Sequence, residues 1–363
     1  MGKSSRNYGI DLLRVLSMYM VCMLHVLGQG GILKATTDRS NDIAWFFEIA
    51  AYCAVNCFGL ISGYVGCMSS FKLRNLFRLW LQAVYYNVGI TLVFLFILPD
   101  SVGLKEIVIS FFPISSNPYN LSYWYLKAYA LMFFFTPQMI FLLRNQPKEI
   151  LRRFIWFFFV LFSVLETIPF LRQIASPVQN GYSALWLAYL YMLGGFIRLY
   201  GIKELLPDNR TIRKWYYRFF NRLSTPFYVY TACVTMTFIL YKYGHSVLTQ
   251  NLGLDPFFKN LVNYNSPTIL FSGVALLLFF SKLNITRFTQ FFYLAGQLAF
   301  SVYLIQNQTY IWQFLFNGAF KWVAELPIWF LPLTLLLIPL TIHIVCSLLD
   351  YIRLCLFRIL RLN

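Results

Sequence analysis

An arginine and a histidine eleven residues apart stand inside an apolar run near the start of the chain, GIDLLRVLSMYMVCMLHVLGQGG (9–31). Arg14 can hold an anion, and His25 can take up and release a proton near neutral pH. On an α-helix eleven residues turn through about 1100°, so both side chains project from one face, about 16 Å apart along the axis. Asp11 lies one turn from Arg14 and can pair with it. The plainer reading is an Asp11–Arg14 pair at a membrane interface and a His25 that makes a polar contact between helices. Ionisable groups are expensive in a bilayer, however, and as a rule they line a pathway or a site.

The elements that must carry these residues are membrane helices. The 363 residues are 59% hydrophobic, 20% aromatic and only 12% charged, against about 25% charged in soluble domains. Stretches of about 20 apolar residues fall at 8–33, 42–67, 76–98, 121–143, 154–171, 181–200, 225–243, 267–281, 291–316 and 327–352. In a soluble chain a net charge of +17 would suggest nucleic acid as a partner. With the N-terminus inside, the inner loops hold about three times as many lysines and arginines as the outer ones, so the charge reports topology and excludes nucleic acid. The expectation is an all-α polytopic membrane protein of about ten transmembrane helices with both termini cytoplasmic, forming one membrane-embedded domain over residues 1–363. Arg14 then lies near the cytoplasmic leaflet and His25 beyond the midplane. The first apolar run is too long for a cleaved signal peptide.

The longest polar stretch, 201–224, is basic and aromatic and is expected to lie along the headgroups. Outer stretches rich in Pro, Asn and Ser, near 99–120 and 244–266, could cap a cavity. Cys53 and Cys57 sit one turn apart, but no further thiol or histidine pair completes a zinc set, so no metal is expected. There is no P-loop or dinucleotide fingerprint. No internal repeat is visible, which weakens a transporter built from inverted halves.

Asp-x-x-Arg followed by ten residues and then His, in DLLRVLSMYMVCMLH, resembles the first-helix motif of the membrane acyltransferase-3 family. Further stretches are similar to family elements in the expected order: FGLISGYVG (58–66), FKLRNLFRLW (71–80), YWYLKAYALMFFFTP (123–137), LYMLGGFIRLYG (190–201) and LAFSVYLIQNQ (298–308). The resemblance covers nearly the whole chain and is nearest to the Gram-positive cell-surface branch without an added extracellular domain. Two departures stand out. Gln306 occupies the place where many members have histidine, and a glutamine cannot shuttle a proton. Leu79–Trp80 stands where many have a proline.

The resemblance implies a bacterial plasma-membrane enzyme that moves an acyl group, acetyl by family analogy, from cytoplasmic acyl-CoA to a hydroxyl of an extracytoplasmic glycan. Arg14, with Lys72, Arg74 and Arg78 at the cytoplasmic start of the third span, would meet the phosphates of CoA, although positive-inside anchoring accounts for the latter three as well. His25 would deprotonate the acceptor hydroxyl or carry the acyl group itself. A carboxylate on its other nitrogen would help, and Glu48 ranks ahead of Glu166 for that place. Either acid could instead bind the acceptor. Trp124, Lys127, Tyr129 and Gln306 are the candidate acceptor contacts; an interfacial aromatic belt explains the aromatic ones equally. The rival class is an exporter or flippase whose pathway Arg14 and His25 line. Dependence on acyl-CoA separates the two.

Overall fold

A computed structural model describes residues 6–113, 123–174, 176–207, 209, 211, 214, 222–252 and 255–360. The stretch 114–122 and much of the basic loop 201–224 lie outside the described residues, as does the side chain of His245. The described chain is helical, with no strand among these residues. In order, the main helices are α1 (Tyr8–Leu27), α2 (Asp38–Ala51), α3 (Ala54–Gly66), α4 (Leu73–Ile97), α5 (Leu104–Ser110), α6 (Trp124–Phe134) and α7 (Thr136–Asn145). Then follow α8 (Lys148–Phe159), α9 (Ala184–Tyr200), α10 (Ser224–Leu252), α11 (Pro267–Ser281), α12 (Thr289–Gln306) and α13 (Leu331–Ile359).

Among the described residues, Tyr8–Leu27, Asp38–Gly66, Leu73–Ile97 and Leu331–Ile359 are long and apolar enough to cross a membrane. α6 and α7 meet the same length and apolarity only when taken together, and they are bent by 54° at their junction, as in a broken span or a re-entrant loop. α9 and α11 are apolar but only 17 and 15 residues long. Two expected spans are interrupted. The 154–171 stretch runs from α8 through a π-helical turn at Val160–Val164 and stops before Pro169. The 291–316 stretch breaks after Gln306 and resumes as a π-helical turn at Ile311–Phe316. π-helical turns recur at functional sites because they re-aim side chains.

The chain divides into two compact units. The first comprises Met1–Ser17, Tyr52–Phe71 and Leu131–Tyr293. Its α3 and α9 meet backbone to backbone. A Cβ on Gly63 would run into the Tyr191 carbonyl oxygen, and one on Gly194 into that of Leu60. Small residues let membrane helices approach in this way, because packing rather than water exclusion drives their association. Asn56 of α3, fully buried, donates to the Tyr264 carbonyl at 2.7 Å and accepts from Trp186 Nε1 at 3.0 Å.

The second unit comprises Met18–Ala51, Lys72–Ala130 and Leu294–Asn363. In α13 the buried residues Leu335, Pro339, His343, Cys346, Asp350, Arg353 and Phe357 recur every three or four positions. Leu336, Leu340, Ile344, Leu348 and Ile352 between them are exposed, as on a helix with one face toward protein and the other toward lipid. Asp350, which from its place near the inner end of the last span resembles an interface residue, is instead fully buried. It takes two hydrogen bonds from Arg353, at 2.7 and 2.9 Å, and one from the Tyr86 hydroxyl at 2.6 Å. Such a satisfied pair holds one helix arrangement, since breaking it would strand a buried charge.

Candidate active site

α1 begins in the first unit and ends in the second, and each end carries a cluster. The end with His25 is built entirely from the second unit. His25 Nδ1 lies 2.8 Å from Gln306 Oε1, and Gln306 Nε2 donates to the Cys22 thiol at 2.8 Å. The thiol contact turns the amide so that its oxygen faces the imidazole. That oxygen accepts from Nδ1–H and leaves the Nε2 lone pair as the basic position. Nε2 makes no hydrogen bond among the described residues. The Trp312 ring stands edge-on to the imidazole, centroids 5.0 Å apart at 87°. Past His25 the chain turns at Gly31, φ 88°, and the Gln29 and Gly30 carbonyls accept from the amides of Gly318 and Phe320. The end of α1 is therefore clasped to the same segment that supplies Trp312.

The cluster at the start of α1 belongs to the first unit. Asp11 is buried, 1% exposed, and its carboxylate takes a two-pronged bond from Arg6, at 2.7 and 2.9 Å, and one from Arg14 at 2.6 Å. Burial opposes the Arg6 charge, but the hydrogen bond and charge of Asp11 outweigh it and raise the guanidinium pKa. These residues line a cavity of 210 Å³ together with Asn7, Tyr64 and Arg198. Arg198 donates to the Tyr64 hydroxyl at 3.2 Å. Three guanidiniums against one carboxylate make the cavity cationic.

The other expected residues fall as follows. Glu48 is buried on α2 in the unit of His25, but it makes no hydrogen bond to His25, and among the described residues its Oε2 has no hydrogen-bond partner. Glu166 lies in the first unit, where it accepts from the Val178 amide at 3.0 Å, Asn265 at 2.9 Å and Ser176 at 3.3 Å, so its carboxylate ties a loop together. The partner of His25 is the Gln306 amide rather than a carboxylate. Lys72 and Arg74 are exposed and Arg78 is partly buried at the start of α4, in the second unit. Trp124, Lys127 and Tyr129 are half-buried on α6, with Tyr129 stacked on Tyr125 at 6.1 Å. Among the described residues no three His, Cys, Asp or Glu side chains gather as metal ligands.

Sequence reasoning missed Arg6, Arg198 and Trp312. The two arginines read as topological charges at span ends. Arg198 stands less than a turn inside the end of a glycine-rich apolar helix, the same signal that marks Arg14. Trp312 gave no sign, because a tryptophan in an apolar run is ordinary.

Residues 7–349 match the family described as an acyltransferase domain, acyltransferase-3. The chain belongs to this family of membrane acyltransferases. Neither a curated protein nor a solved structure gives a significant match.

Proposed function

We propose that the protein transfers an acyl group, acetyl in the first instance, from cytoplasmic acyl-CoA to a hydroxyl of an extracytoplasmic glycan. It would do so in a bacterial plasma membrane, as a chain of about ten spans with both ends cytoplasmic. The observation that carries this reading is the cationic cavity at Arg14. A donor with several phosphates needs more positive charge than a single interfacial arginine supplies, and arginine forks suit phosphate oxygens. Lys72, Arg74 and Arg78 would add cations on the same cytoplasmic side.

The chemistry follows from the His25 geometry. Nε2 takes the proton of the acceptor hydroxyl, whose oxygen attacks the thioester carbonyl. The carbon–sulfur bond breaks, the thiolate takes the proton back from the imidazolium, and an ester and free CoA result. Gln306 holds Nδ1–H and so keeps the lone pair on Nε2. In the variant path Nε2 attacks the thioester first and the acceptor then takes the acyl group from the imidazole.

The test is purified protein in lipid nanodiscs with labelled acetyl-CoA, alongside His25→Ala. Saturable donor binding in both, with CoA release only in the wild type, supports the reading. Folded wild-type protein that does not bind acetyl-CoA sinks it and favours a transport role for the Arg14–His25 stripe.

A further inference from the structure

A second polar cavity, of 130 Å³, lies wholly in the second unit, at the end of α4 away from its basic start. Its walls include Asn87, Thr91, Glu106, Gln308, Gln313 and Phe314. Its floor is rigid. Gln308 Oε1 accepts from the Tyr310 amide at 2.8 Å, and Gln308 Nε2 lies 3.3 Å from the Thr91 hydroxyl. Asn87 donates to the Ser110 carbonyl at 2.8 Å. Its rim is open: Gln313 is exposed, Phe314 is 50% exposed and Glu106 is partly exposed. Phe94, Tyr310 and Phe314 stack as near-parallel rings, with centroids 5.2 Å apart for the first pair and 6.4 Å for the second.

We propose that this cavity is the subsite for the sugar ring of the acceptor. A sugar ring has C–H faces and an equator of hydroxyls that both donate and accept. It is therefore recognised by an aromatic face beside planar amides and a carboxylate, and this cavity supplies those groups. A phosphate-bearing ligand would need cations, and the cavity lining contains none.

The wall also leads to the base. Along one short segment Gln306 and Trp312 contact His25, whereas Gln308, Gln313 and Phe314 line the cavity. The segment bends after α12 and coils into the π-helical turn, so neighbouring residues serve the base and the cavity. The inference rests on the acyltransferase reading above, with the C-terminal end of α4 on the extracytoplasmic side.

Two measurements on the full-length protein test it. One is base-labile acetate on the surface carbohydrate of cells that make each variant in place of the wild type. The other is acetyl-CoA binding by the same variant in nanodiscs. Gln313→Trp should fill the mouth and abolish surface acetate, and Gln313→Ala should lower it about threefold to tenfold, as for one lost hydrogen bond. Acetyl-CoA affinity should stay within about twofold of wild type, since the hydrogen bond removed is not one to the donor. If Gln313→Trp aggregates, Phe314→Ala, which adds no volume, carries the test. Wild-type acetate levels with the mouth filled or the ring removed would overturn the inference. So would a parallel loss of donor binding, which would make the cavity part of the donor site. Wild-type protein that neither binds acetyl-CoA nor adds acetate above an empty vector would instead fail the acyltransferase reading, and this inference with it.

Discussion

The two ends of α1 hold their polar groups by opposite means. At the start, a buried carboxylate is gripped by Arg6 and Arg14, and Arg198 shares the cavity they line. At the end, His25 is held by an amide oxygen, beside a thiol and the edge of an indole, and among the described residues no charged group bonds to it. The first arrangement concentrates charge and suits a polyanion. The second fixes a ring and its tautomer without adding charge, which suits a group that must be neutral before it accepts a proton. On the acyltransferase reading proposed above, the first end would bind the donor and the second would transfer the proton.

That division makes the two ends separable by kinetics. The largest effect should come from His25→Ala, which should lower acetyl transfer by about 10²- to 10⁴-fold, the usual contribution of a general base, with donor binding retained. An equal loss of donor binding would erase the distinction between the ends. Arg14→Ala should act the other way, weakening acetyl-CoA binding about tenfold to a hundredfold, as for a lost charge-assisted bond, with kcat at saturating donor nearly unchanged. Calorimetry and steady-state rates on the same preparation decide it.

Smaller changes sharpen the picture. Gln306→Leu keeps the bulk but leaves Nδ1–H without its acceptor, and kcat should fall about tenfold while KM for acetyl-CoA holds. A rise in KM alone would mean that Gln306 contacts substrate rather than orienting the ring. Tyr64→Phe removes the hydroxyl that Arg198 bonds and should weaken the donor about threefold. That loss should shrink with added salt if the remaining attraction is screened charge.

Much of this was legible in the sequence, though unevenly. Arg14 and His25 stand out because charge within an apolar helix is rare, and Asp11 pairs with Arg14 as the three-residue spacing requires. The long apolar helices α1, α4 and α13 sit where hydropathy puts them. The expectation of a carboxylate behind His25 came from the habits of catalytic imidazoles. The structure answers with Gln306, 281 residues away in sequence, and no spacing rule links positions so far apart. Glu166 illustrates the reverse case: an acid within an apolar stretch suggests chemistry, yet Ser176 and the Val178 amide from the loop that follows it, with the distant Asn265, take its oxygens.

The sequence by itself determined the long apolar helices α1, α4 and α13, the placing of Arg14 and His25 on one helix, and the family, because each is written in local periodicity or in short ordered motifs. Only the tertiary structure decided which groups meet: Arg6 with Arg198 around Arg14, Gln306 and Trp312 around His25, and a buried Asp350 rather than an interfacial one. Inside a bilayer a buried polar group is stabilised by a partner in protein, and that partner comes from whichever helix packs alongside, however distant in the chain.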